Sequence, residues 1–110
     1  MAITERDVEK ALDYLRTSVD EAAKAKHDMV LTEQWIKTTK AKLKSEHAGS
    51  DAAAETKALA DPRFAQSVEA YGAAVQLFEY HKMKRETALA WIEAWRSQEA
   101  SNRASDRAHR

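Results

Sequence analysis

The side chains most able to do chemistry in this chain are its histidines, His27, His47, His81 and His109, and its 18 carboxylates. Metal binding by histidine needs ligands at fixed helical spacing, as in HExxH, or Cys/His pairs; neither pattern is present and there is no cysteine at all. If the two halves of the chain fold back on each other, His27 comes level with His81, near Asp28 and Glu79. Both histidines then fall at flanking helix positions, and no third ligand or orienting partner can be named. They are expected to be solvated, with no metal and no cofactor. The carboxylates are scattered over a highly charged chain, and none sits in a sequence context that would build a cleft. No catalytic residue and no enzymatic activity is expected.

Basic residues offer a second chemistry. Lys37, Lys40 and Lys44 share one face of a helix, with Lys42 off it. In the terminal stretch Arg96, Arg103, Arg107 and Arg110 also share a face if the segment is helical. Such stripes can follow a phosphate backbone, giving weak, salt-sensitive, non-specific contact with nucleic acid. They serve equally as solvated faces and as cations favoured near a helix C-terminus. Aromatic residues are not interleaved with them, as stacking on single strands would require.

Apolar residues carry the third signal, and they imply the elements. Val8, Leu12, Leu15, Val19 and Ala22 recur at 4-3-4-3 spacing, and Met29, Ile36 and Leu43 continue one line of that stripe at sevens. The other line turns polar at Lys26, Glu33 and Lys40. Thr4 is a natural N-cap ahead of Glu5 and Asp7, so the spacing predicts one helix over about 5–46. Gly49 is a stop signal; Ser50 or Asp51 can cap a short Ala-rich helix over about 51–60. Asp61-Pro62 then starts a second long helix over about 62–100, ending in a frayed basic tail to 110. Phe64, Val68, Tyr71, Val75, Phe78, Leu89 and Ile92 form its stripe. The predicted fold is all-α, a single domain built as a long antiparallel, coiled-coil-like two-helix hairpin with a short connecting helix.

Four apolar residues, Leu31, Trp35, Leu77 and Trp91, fall off both stripes. A two-helix hairpin has one narrow core and cannot enclose a second stripe alone. Either the short middle helix covers them, or another copy or a protein partner does, or they are bulky residues scattered on the surface. The preferred expectation is an interface, in a homo-oligomer or with another protein.

Charge follows the same geometry. Overall charge is zero, from 18 basic and 18 acidic residues, which argues against an acidic DNA mimic and against a basic nucleic-acid coat. Residues 1–23 and 48–80 are each net −3, while residues 24–47 and 81–110 are each net +3. Folding about residue 54 sets opposite signs against each other in both halves. In that register Trp95 lies near Leu12 and Tyr14, Trp91 near Leu15 and Arg16, and Trp35 level with Gly72, which would make room for the indole. The N-terminus lacks the basic and apolar regions of a signal peptide, and no apolar run approaches a membrane span. A soluble, cytoplasmic protein is expected.

The stretches "ALDYLRTSVDEAAKAKHDMVLTEQWIKTTKAKL" and "IEAWRSQEASNRA" together resemble a family of small helical phage and prophage proteins of unknown function, encoded near single-strand-annealing recombination and replication proteins. Ile92, Glu93, Trp95, Arg96, Gln98, Asn102 and Arg103 match its terminal motif, whereas Trp91 and the Ala-rich connection are outside the pattern. The resemblance covers nearly the whole chain and rests on helix-surface and seam residues. It implies a phage context, and with it a bacterial host cytoplasm, and transfers no active site. The expected function is a non-enzymatic helical interaction or accessory protein linked to DNA recombination or replication. The alternative is a phage inhibitor that binds a host defence or nuclease system; a virion component is also compatible with the neutral composition.

Overall fold

The computed structural model describes residues 2–109, and within them the chain is all-α. Four helices follow in order: α1 Glu5–Thr17, α2 Val19–Ser45, α3 Asp51–Ala60 and α4 Pro62–Ala108. They form two compact units, Met1–Glu21 with Tyr80–Arg110, and Ala22–Glu79. Each contains two antiparallel helical segments, because α4 contributes to both. In the Ala22–Glu79 unit, α2 and the first part of α4 make a helical hairpin with α3 in its connection.

Local chemistry sets the helix ends. Thr4 Oγ1 accepts from the Asp7 N–H at 3.2 Å, and Asp7 Oδ2 accepts from the Thr4 N–H at 2.9 Å. This reciprocal cap satisfies two amides that a helix start leaves open, and the Thr4 backbone bond holds the Asp7 carboxyl below its ordinary value. Gly49, at φ 109°, takes the left-handed conformation that ends the α2 connection at little steric cost. Ser50 Oγ accepts from the Ala53 N–H to cap α3, and Asp61 Oδ1 accepts from the Arg63 N–H at 2.8 Å to open α4.

The first long helix is not continuous. It breaks at Ser18. Arg85 Nη1 donates to Leu15 O at 3.0 Å and to Ser18 Oγ at 2.6 Å. Leu15 O is the acceptor that an unbroken helix would offer to Val19, so a guanidinium enters the ladder where the helix ends, a recognised cause of kinks. At the other end of the chain, α4 continues to Ala108, past the expected end near residue 100, with residues 100–108 exposed.

The packed line also differs from the sequence expectation. One half of each stripe is as read: Val8, Leu15, Ala22, Met29, Ile36 and Leu43 are buried or half-buried, as are Phe64, Tyr71, Phe78 and Ile92. The other half lies one residue earlier. Ala11, Ser18, Ala25 and Thr32 face inward in place of Leu12, Val19, Lys26 and Glu33, while Thr39 and Lys40 are both half-buried; on α4 Ser67, His81, Ala88 and Trp95 face inward, Ala74 and Val75 are both half-buried, and Val68 and Leu89 are exposed. Turning the larger aliphatics inward would bring Lys26, Glu33, Lys40 and Lys82 with them. An unpaired buried charge costs more than a buried aliphatic returns, about 1.5–3 kcal/mol each. Two of the inward-facing hydroxyls bond within their own helix: Thr32 Oγ1 donates to Asp28 O at 2.7 Å and Ser67 Oγ to Phe64 O at 2.6 Å.

Register shifts accordingly. Ser18 lies level with Arg85, where folding about residue 54 would put Ala23. Trp91 borders Asp7, Ala11 and Tyr14 rather than Leu15 and Arg16. Trp35 shares a groove with Arg63 and Gln66, and a Cβ placed on Gly72 would meet nothing within 4 Å, so Gly72 makes no room for the indole.

Candidate interaction surface

Within the Ala22–Glu79 unit the core is thin. Its buried apolar residues are Ala25, Leu43, Ala54 and Ala58, with Leu43 the largest apolar side chain fully enclosed. Against this, Leu31 is 58% exposed, Trp35 47% and Leu77 47%. Leu31 and Trp35 are one turn apart on α2 and line a shallow depression with Thr32, Gln34 and Thr38. Trp91 belongs to the other unit. It is 38% exposed and edges a groove lined by Lys10, Tyr14, Lys84 and Thr87. The four off-stripe apolar residues are therefore on the surface, the two on α2 side by side.

The position of α3 bears on what covers them. Lys40 pairs with Glu55 of α3, and Lys44 Nζ lies 2.8 Å from Asp51 Oδ1. Lys40 and Lys44 point about 140° round the helix from Trp35 and Leu31 respectively, at 3.6 residues per turn. The short helix thus docks away from the Leu31–Trp35 patch and leaves it open. The sign of these pairs follows the charge blocks read from the sequence: the basic 24–47 segment faces the acidic 48–80 segment.

The electrostatics of this connection form one network. Arg63 makes a two-pronged contact with Glu46, Nη1 to Oε1 at 3.2 Å and Nη2 to Oε2 at 2.7 Å, and also reaches Asp61 Oδ2 at 3.0 Å. Bonds from Arg63 hold the Glu46 and Asp61 carboxyls below their ordinary values; Lys44 does the same for Asp51 and Lys40 for Glu55. Two cations of the lysine stripe are thereby engaged. Lys37 is exposed beside them. At the chain end Arg96 bonds Glu93 at 3.0 Å, while Arg103 and Arg107 ride the exposed last turns of α4. Arg110 lies outside the described residues.

The histidines do not converge. His27 is exposed beside Asp28, and His109 is exposed. His81 departs from the expectation of a solvated flanking residue: it lies on the packed line, with Nδ1 buried and unpaired and its ring edge-on to Tyr80. Among the described residues no group of three or more His, Cys, Asp or Glu side chains could hold a metal ion. No helix among them is long and apolar enough to cross a membrane.

Two structural contacts escaped the sequence reading. Arg85 looked like a polar break in a stripe, yet it anchors the Ser18 kink. Gln98 Nε2 donates to Ile3 O at 2.8 Å while its Oε1 accepts from the Ile3 N–H at 3.2 Å. An amide side chain is one of the few groups that can pair both ways with a peptide unit, which was the available clue. Comparison with known protein families, with curated proteins and with solved structures finds no match to this chain.

Proposed function

We propose that this chain is a non-enzymatic helical interaction protein, an accessory factor in phage or prophage DNA recombination or replication. One observation supports the interaction reading. Large apolar side chains stand on the surface at Leu31, Trp35, Leu77 and Trp91, while the buried apolar residues are mainly alanines. Exposed aromatics clustered with aliphatics are the residues from which binding hot spots are built. The phage context is what the sequence resemblance implies. Nucleic-acid contact has a smaller part in this reading: with Lys40 and Lys44 engaged by α3, weak non-specific binding would fall to Lys37, Arg103 and Arg107 and would weaken steeply with salt.

Capture from phage-infected cells tests the reading. The full chain should retain a recombination or replication protein, and Leu77→Ala with Trp91→Ala should lose it. Retention of a host nuclease or defence component would favour the inhibitor reading instead. Turnover of any substrate by the purified chain would overturn both.

A further inference from the structure

The Leu31–Trp35 patch carries a charge pattern of its own. Asp28, Trp35 and Lys42 are spaced by seven residues on α2, so they stand along one face with an anion two turns before the indole and a cation two turns after it. Two turns is about 10.5 Å at 1.5 Å per residue. Lys42 is exposed, and the Asp28 side chain is 40% exposed with only its neighbour His27, at 3.5 Å, within reach. Between the two charges lie Leu31, Trp35 and Thr38, which border the open depression.

We infer that this face binds a second copy of the chain, α2 against α2 in antiparallel orientation, with a two-fold axis through the Trp35 pair. Such an axis exchanges residues equidistant from Trp35. It sets Asp28 of each copy against the partner subunit's Lys42, twice by symmetry, and places Leu31 beside the partner's Thr38 and Thr39. Other centres fail on charge. An axis midway between Leu31 and Trp35 would set Lys24 against the partner's Lys42, a like-charge contact. An axis at Leu31 would leave Asp28 opposite the partner's Gln34. An isologous contact must be self-complementary, and of these three centres only the one at Trp35 is. The depression beside Leu31 then receives the partner's indole, and the thin core gains cover that α3 does not give.

The inference rests on the interaction reading and names one partner. It is tested by sedimentation equilibrium of the full chain and its variants. The wild type should dimerise, and Trp35→Ala should raise the dissociation constant by about tenfold or more. Because an aromatic truncation can also loosen the fold, the decisive arm uses the exposed charges. Asp28→Lys alone and Lys42→Asp alone should each weaken self-association by about tenfold or more, with helicity by circular dichroism unchanged. Mixing the two variants should restore a dimer, now mixed, in which every cross-contact joins opposite charges. A monomer at all concentrations, or a dimer indifferent to both charge reversals, overturns the pairing. Capture of a different protein through Leu77 or through Trp91 is a separate observation, so failure here and failure of the interaction reading can be told apart.

Discussion

Arg85 is the residue whose removal most sharply tests how the kink is held. Its Nη1 serves two acceptors at once, Leu15 O and Ser18 Oγ, and Ser18 is only 4% exposed. Hydrogen bonds to a charged donor contribute about 1.5–3 kcal/mol each. Two that share one nitrogen will not add fully, and Leu15 O regains part of the loss if Val19 completes the helical ladder. Arg85→Met, which keeps the apolar stem, should therefore destabilise the chain by about 1–3 kcal/mol in urea unfolding. Ser18→Ala removes one acceptor and leaves the other. In a double-mutant cycle the two substitutions should couple by about 0.5–3 kcal/mol. Amide exchange adds a local readout, since Val19 should become more protected in Arg85→Met as the helix closes across residue 18. Stability unchanged within about 0.5 kcal/mol, with no coupling and no change at Val19, would refute this account of the break.

Three further outcomes follow from the same geometry. Gln98→Leu loses both bonds to Ile3, worth about 0.5–1.5 kcal/mol each, and should deprotect residues 3–8 in hydrogen exchange; truncation after Asn102 should leave them protected. Ser67 is fully buried and Val68 is 44% exposed, so Ser67→Leu should cost about 1–3 kcal/mol by overpacking, whereas Val68→Ser should stay near neutral; the reverse order in thermal melts would restore the seam read from the sequence. Glu46 and Glu55 titrate below the ordinary 4.5, and Asp51 and Asp61 below 3.8. A depressed folded pKa stabilises above the unfolded value and loses that contribution as pH falls through the folded one. Urea midpoints should hold down to about pH 5 and decline below pH 4.5; high salt should shrink the decline, because these groups lie at the surface.

Much of the fold was legible in the sequence because helix signals are local. A capping threonine, Gly49, Ser50 and Asp61-Pro62 each act within one turn, and the scarcity of glycine and proline leaves little but helix between them. The packed face was only half legible. Hydrophobicity favours Leu12, Val19, Val68 and Leu89, but each helix turns as a rigid body, so Val19 cannot face inward without Lys26 and Glu33 on α2, nor Val68 and Leu89 without Lys82 on α4. The cost of the charges decides, and the inward line falls to Ala11, Ala25, Thr32 and Ser67, residues with no hydrophobic signal strong enough to announce it. Register was misjudged for a related reason. Charge blocks constrain it only to within a turn or two, whereas the Arg85–Leu15 and Gln98–Ile3 contacts fix it to the residue, and both pair a long polar side chain with backbone, which no periodicity reveals. The surface patch was visible as Leu31, Trp35, Leu77 and Trp91 falling off the stripes. What sequence alone left open was whether α3 covers it, and the Lys40–Glu55 and Lys44–Asp51 pairs place α3 elsewhere.

Under the proposal above, the exposed Leu31–Trp35 face of α2 is covered by a second copy of the chain. The most direct measurement is the fluorescence of Trp35 in a variant whose other two tryptophans, Trp91 and Trp95, are replaced by phenylalanine, followed by dilution through the micromolar range. An indole that is half exposed in one chain should emit at shorter wavelength, and resist acrylamide quenching, when its face is occupied. The account predicts a concentration-dependent red shift on dilution that Lys42→Asp abolishes by holding the emission red throughout. A Trp35 emission that stays solvent-exposed at every concentration of the purified chain would contradict it.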